Sequence, residues 1–173
     1  MTFSLYEATV PSFQQTLGAV AGLLDKAEMF CAETGLDPTE LVDAKLADDM
    51  LPFGYQVKSV TVHSIEGIEG AKAGVFSPNM NPWPTDLAGL KAQLAETIAA
   101  INAVTPDEIN CLVGREAAFV FGERRMPFAA ENFLLSFTMP NFYFHATTAY
   151  AIMRAKGVKI GKMDFMGRPR IKM

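Results

Sequence analysis

Between Val10 and Phe30 the apolar residues Val10, Phe13, Leu17, Val20, Leu24, Ala27 and Phe30 recur at steps of three and four. That spacing gathers them on one face of an α-helix and on no single face of a strand. A helix from about Leu5 to Thr34 follows, with Pro11 in its first turns, where a missing N–H costs least, and Gly35 as its stop. The same stripe returns twice. Tyr55, Val57, Val60, Val62, Ile65 and Ile68 mark a second long helix from about Pro52 to Ala73. Leu87, Leu90, Leu94, Ile98 and Ile101 mark a third, capped by Thr85 or Asp86 and running to about Val104. A last helix is expected from Ala129 or Ala130 to Lys156, kinked or offset near Ser136 because Pro140 falls inside it.

The connections read by their turn chemistry. Asp37-Pro38 pairs an N-cap side chain with proline at the first helical residue and opens a short helix to about Ala44. From Gly74 to Pro84 the chain is rich in proline and asparagine and reads as a crossover loop, pinned by Trp83. Thr105-Pro106-Asp107-Glu108 begins one further helical turn. Ala118 to Phe121 and Arg125 to Phe128 flank Gly122-Glu123-Arg124, which predicts a small β-hairpin lying on the helices. The expected class is all-α, as one domain over residues 1–173, with residues 167–173 as a flexible, solvated tail.

A chain of 173 residues that is 50% apolar and 20% charged can bury one core without disulfides or metal. A net charge of −4 with no basic stripe excludes the electrostatic footprint of a nucleic-acid binder. No apolar run approaches the ~20 residues that span a bilayer, and no signal-peptide pattern opens the chain. Cys31 and Cys111 match neither a redox nor a zinc spacing, which fits free thiols in a reducing cytoplasm.

Chemistry converges on the stretch from Met139 to Asp164, where Phe142, Tyr143, Phe144 and Tyr150 crowd around His145. The only other histidine, His63, falls midway along the second long helix. Each is satisfied by a neighbour within the core, or the two face one another across it, where helical bundles build their metal sites. Both are expected on inner faces at similar depth. A zinc or nickel ion would need a third protein ligand, for which Asp48 or Asp49 is the nearest reasonable carboxylate. Asn141 precedes His145 by one helical turn and would orient a ligand or water. No nucleophile elbow, activated cysteine or glycine-rich phosphate loop is present in the sequence.

The run Pro140-Asn141-Phe142-Tyr143-Phe144-His145, then Thr148-Ala149-Tyr150, Gly157-Val158 and Gly161-Lys162-Met163-Asp164 resembles the C-terminal signature of a bacterial domain family of unknown function. Ser4-Leu5-Tyr6, Leu24-Asp25-Lys26-Ala27, Asp49-Met50 with Pro52, and Gln56-Val57 extend the resemblance over nearly the whole chain. That family is grouped with the DinB-like superfamily of four-helix bundles. The resemblance implies a bundle, often dimeric, in a superfamily whose better-known members bind a divalent metal through three histidines. Some of those members are thiol-dependent transferases or isomerases. His63 would stand for the histidine of the second helix and His145 for one of a pair on the last. The remaining position falls on Asn141 or Ala149, so the triad is incomplete.

Two classes of function stay open. One is a small-molecule-binding module with a degenerate metal site, its ligand contacts drawn from Asp49, Gln56, Asn141, His145 and Tyr150. The other is a divergent metal-dependent transferase or isomerase, with His63, His145 and Asp49 holding zinc or nickel. A homodimer in the cytoplasm is expected in either case.

Overall fold

The computed structural model describes residues 3–172. Ser4 caps the first helix, α1 (Leu5–Thr34), by accepting the Glu7 N–H, and Gly35 ends it in the left-handed region. A short α2 (Pro38–Val42), capped by Asp37, leads into α3 (Phe53–Thr61). A π-helical segment, Val62–Glu66, continues α3 directly into α4 (Gly67–Ala73). Then come α5 (Leu87–Ala103), capped by Asp86, and α6 (Pro106–Asn110), opened by a capping box between Thr105 and Glu108. After the strands described below, α7 (Ala130–Asn132), a second π segment (Phe133–Thr138) and α8 (Met139–Ala155) form the last long helical run.

The helices pack through the residues of the three-and-four stripes. Helix α1 lies against α5 and α8, and α3 lies against α8 and α5. Phe13, Leu17 and Leu24 of α1, Val57 and Val60 of α3, Leu90 and Leu94 of α5, and Phe142 and Ala146 of α8 are all buried in one cluster. Phe13 and Phe142 meet edge to face with centroids 4.9 Å apart, which locks the first helix to the last. Among the described residues no helix is long and apolar enough to cross a membrane.

The structure departs from the sequence reading at three places. Strand β1 (Val75–Phe76) lies within the stretch expected to be loop, and it pairs in parallel with β2 (Glu116–Phe121). The all-α expectation with a two-stranded hairpin is therefore corrected to a mostly helical chain with a three-stranded sheet in the order β1-β2-β3. The physical cause is Phe76, which is buried among Phe119, Phe133 and Phe137 and draws its backbone onto β2. In the hairpin itself β3 (Arg124–Ala129) runs antiparallel to β2 with Phe121 opposite Arg124. The loop is thus Gly122-Glu123, one residue shorter than expected. Gly122 takes the positive φ of 58° that a two-residue hairpin loop needs at its first position.

The last helix is offset at Phe133–Thr138, around the position expected for the kink. Pro140 offers no N–H to a carbonyl one turn back, and the wider π winding falls in the turns preceding it. Asn141 then donates its side-chain amide to Phe137 O at 2.7 Å, inside that π segment.

The C-terminal stretch also differs. Helix α9 (Lys162–Met166) was not anticipated, and it packs on α1. Lys26 pairs with Asp164 at 2.6 Å, and Gln15 donates to Met166 O at 2.8 Å. Arg170 of the expected tail reaches Ser12 Oγ at 3.4 Å, and Met173 lies outside the described residues.

Candidate functional site

Helix α3 and its π continuation bring most of the site together. Gln56, Lys58 and Ser59 lie on α3, His63 on the π segment, and His145 faces them from α8. The imidazoles of His63 and His145 are nearly parallel, at 11°, with centroids 5.5 Å apart. Phe76 and Phe137 flank His63, and Tyr55 and Phe144 flank His145 edge-on.

The hydrogen bonds fix one tautomer. Gln56 Nε2 lies 2.8 Å from Leu51 O, which can only accept, so the amide nitrogen must face it. Gln56 Oε1 then faces His145 Nδ1 at 2.7 Å and can only accept. His145 therefore carries its proton on Nδ1, leaving a lone pair on Nε2. His63 is different: its Nδ1 is buried without a partner among the described residues. Burial pushes both imidazoles down to about 4, and for His63 the neighbouring His145 adds to the effect. At neutral pH the pair carries no charge.

Replacing Gln56 with leucine keeps the bulk but leaves the His145 Nδ1–H and Leu51 O unpaired. The expected loss is about 1–3 kcal/mol, read as a lower urea midpoint for Gln56→Leu. An unchanged midpoint would contradict the assigned bond.

His63 opens onto a cleft of about 260 Å³ between α3 and residues 78–83 of the loop, walled by Tyr55, Lys58, Ser59 and Trp83. Lys58 holds that loop in place. Its ammonium donates to Asn79 O at 2.6 Å and to Asn81 O, and the residue is only 3% exposed. Burial lowers the Lys58 pKa, and the charge of Glu66 partly restores it. Asn79 in turn donates its side-chain amide to Glu66 at 3.1 Å.

Trp83 stands edge-on to Tyr55, with centroids 5.6 Å apart, and closes over Gly54. A Cβ at residue 54 would sit 2.6 Å from Trp83 Cδ1 and 2.9 Å from Val42 Cγ1, so only glycine lets the indole settle. Gly54→Ala should cost about 1–3 kcal/mol through overpacking. It should also shift the emission of Trp83 to the red as the indole is displaced toward water. Wild-type emission and stability in the variant would refute the close approach.

The structure joins three of the sequence candidates, His63, His145 and Gln56, and separates the others. Asp48 and Asp49 are exposed in the turn before α3. Among the described residues no group of three or more His, Cys, Asp and Glu side chains could hold a metal ion. The expected set of His63, His145 and Asp49 is not gathered into such a group here, and Asp49 is exposed. Asn141 gives its amide to a backbone carbonyl. Tyr150 packs edge-on against Phe165 of α9, with centroids 5.9 Å apart.

Sequence reasoning missed Lys58, Tyr55 and Ser59, and read Trp83 only as an anchor for the loop. A signal was available. Lys58 is the one Lys, Arg, Asp or Glu between Leu51 and Ile65, and a lone charge inside an apolar stripe has to be satisfied somewhere.

A family model described as a domain of unknown function, DUF1993, matches residues 5–166. The chain is also similar to the crystal structure of a DinB family member protein from Shewanella denitrificans. The two share 25% identity with a TM-score of 0.82, over 98% of this chain and 95% of that one. No curated protein matches. Extending from the start of the first long helix through α9, the family match takes in every element that builds the cleft, and the chain belongs to the DUF1993 domain family, with a DinB-like fold.

Proposed function

We propose that this protein is a DinB-like four-helix bundle that binds a small molecule in the cleft beside His63, on the remnant of a metal site. The observation that carries the reading is the cleft of about 260 Å³ itself, which brings the polar side chains of His63, Lys58 and Ser59 together with the apolar walls of Tyr55 and Trp83. A ligand there would hydrogen-bond the polar groups that line the cleft while burying apolar surface against its aromatic rings.

The donor set does not fit a resident zinc or nickel ion. Two imidazoles supply two ligands, whereas zinc sites use at least three from the protein. The carboxylates expected to complete the set are exposed elsewhere. Lys58 lines the same cleft as His63, and its charge would repel a divalent cation there. These features favour the binding module over a metal-dependent transferase or isomerase.

A cytoplasmic homodimer belongs to the same reading. Cys31 and Cys111 are free thiols, and Leu135 and Tyr143 expose apolar surface along the last helical run.

The test combines metal analysis of the purified protein with a fragment screen followed by NMR. The reading expects far less than one metal per chain, a melting temperature insensitive to chelator, and fragment-induced shifts at Tyr55, His63 and Trp83. Stoichiometric zinc or nickel whose removal lowers the melting temperature would overturn it in favour of the metalloenzyme. A screen without hits in the cleft would remove the ligand.

A further inference from the structure

Lys58, which lines the cleft, narrows the chemistry of what the cleft can bind. Lys58 has three ammonium N–H groups, and Asn79 O and Asn81 O accept two of them. No carboxylate among the described residues forms an ion pair with Lys58, although each of Lys26, Lys72 and Lys91 has at least one such partner. Glu66 acts on Lys58 only through its charge, and its carboxylate accepts from the Asn79 amide. A cation 3% exposed and without a counter-ion is costly, and proteins ordinarily pair such charges. Here the open space beside the unpaired charge is the cleft itself.

A second observation lies in the same space. His63 lines the cleft, its Nδ1 is buried with no partner among the described residues, and no hydrogen bond fixes its tautomer. With its proton on Nε2, the ring nitrogen that is not among the buried unpartnered atoms, it would donate to an acceptor oxygen, giving the cleft a second donor besides the remaining N–H of Lys58. Around these two groups the walls are aromatic and apolar, formed by Tyr55, Trp83 and Val62. The volume of about 260 Å³ holds about nine non-hydrogen atoms at the roughly 30 Å³ that each water occupies in liquid.

We propose that the cleft takes a small organic monocarboxylate, its carboxylate on Lys58 and His63 and its apolar body against Trp83 and Tyr55. The proposal rests on the cleft being a binding site. A dianion such as inorganic phosphate fits less well, because only one formal positive charge lines the cleft. A neutral ligand would leave Lys58 without its counter-charge.

Trp83 is the only tryptophan in the chain, so its fluorescence reports on this cleft directly. The protein is titrated with cyclohexanecarboxylate and, separately, with cyclohexanecarboxamide, which has nearly the same shape and no charge. The acid should give a saturable change and bind at least about tenfold tighter than the amide, the usual scale for a charged hydrogen bond. In Lys58→Met, which keeps the aliphatic stem, the two affinities should fall within about twofold of each other. Lys58→Arg should retain the preference for the acid. Circular dichroism and urea midpoints check that both variants fold, and the wild-type comparison decides the matter even where they do not. Equal affinity for acid and amide overturns the carboxylate assignment and leaves the binding reading intact. No saturable response to the acid at millimolar concentration also overturns it, and the fragment screen then judges the cleft separately.

Discussion

Taking the protein from about pH 7.5 to about pH 5 is expected to remove about 2 kcal/mol of stability for each of His63 and His145. Both imidazoles have native pKa values lowered from 6.5 to about 4, chiefly by burial. The unfolded chain therefore takes up protons below about 6.5 that the native chain refuses. Stability is full above that value, falls as the pH drops, and this contribution is exhausted near the native value of about 4. The carboxylates that also link stability to pH act lower. Glu108 is held down to about 2 by the Thr105 N–H and by Lys72, and Asp164 is lowered by Lys26. Neither contributes much above pH 5. Urea melts at the two pH values should differ by about 4 kcal/mol at most, since His63 is only partly enclosed. His63→Gln should show roughly half of that pH dependence. Equal stability at both pH values would mean that the imidazoles are solvated rather than stacked in a dry site.

Phe142→Ala should be the most damaging single truncation near the site, costing about 3–5 kcal/mol. Phe142 is fully buried, and its edge contact with Phe13 ties α8 to α1 three residues before His145. Removing the ring leaves a cavity that the facing helices cannot fill without shifting α8, and with α8 the second imidazole. The neighbouring Phe144 supplies the control. It is 58% exposed, so Phe144→Ala should change stability by less than about 1 kcal/mol. Similar losses in the two variants, measured by urea unfolding, would show that burial in this helix does not follow the stripe.

That stripe is why so much of the fold can be read from the sequence. Leu5–Thr34 emerges with its expected ends because a serine cap and a glycine stop bound an unbroken three-and-four pattern. The convergence of His63 and His145 was legible in the same way, since each sits midway along a helix at the edge of an apolar face. What escaped is what periodicity does not encode. Strand β1 has two residues, too few for any alternation, and it exists because Phe76 has an aromatic cluster to enter. Helix α9 is five residues long and is held by Lys26 and Gln15 of α1, far away in sequence. Lys58 was passed over because a lysine reads as a solvated residue until two backbone carbonyls of a distant loop are seen to hold it. Asp49 is the opposite case. Its chemistry suited a metal, but nothing in its turn carries it inward.

The central claim is a neutral, metal-free imidazole pair at the edge of a ligand cleft. The most direct test is long-range ¹H–¹⁵N NMR of the histidine side chains in the purified protein, before and after chelation and across the acid range. The account predicts that His145 is neutral with its proton on Nδ1, that neither ring titrates until the pH nears about 4, and that chelator leaves both spectra unchanged. A ring nitrogen that carries a metal-bound shift and reverts on chelation, or a histidine that titrates near its ordinary 6.5, would contradict it.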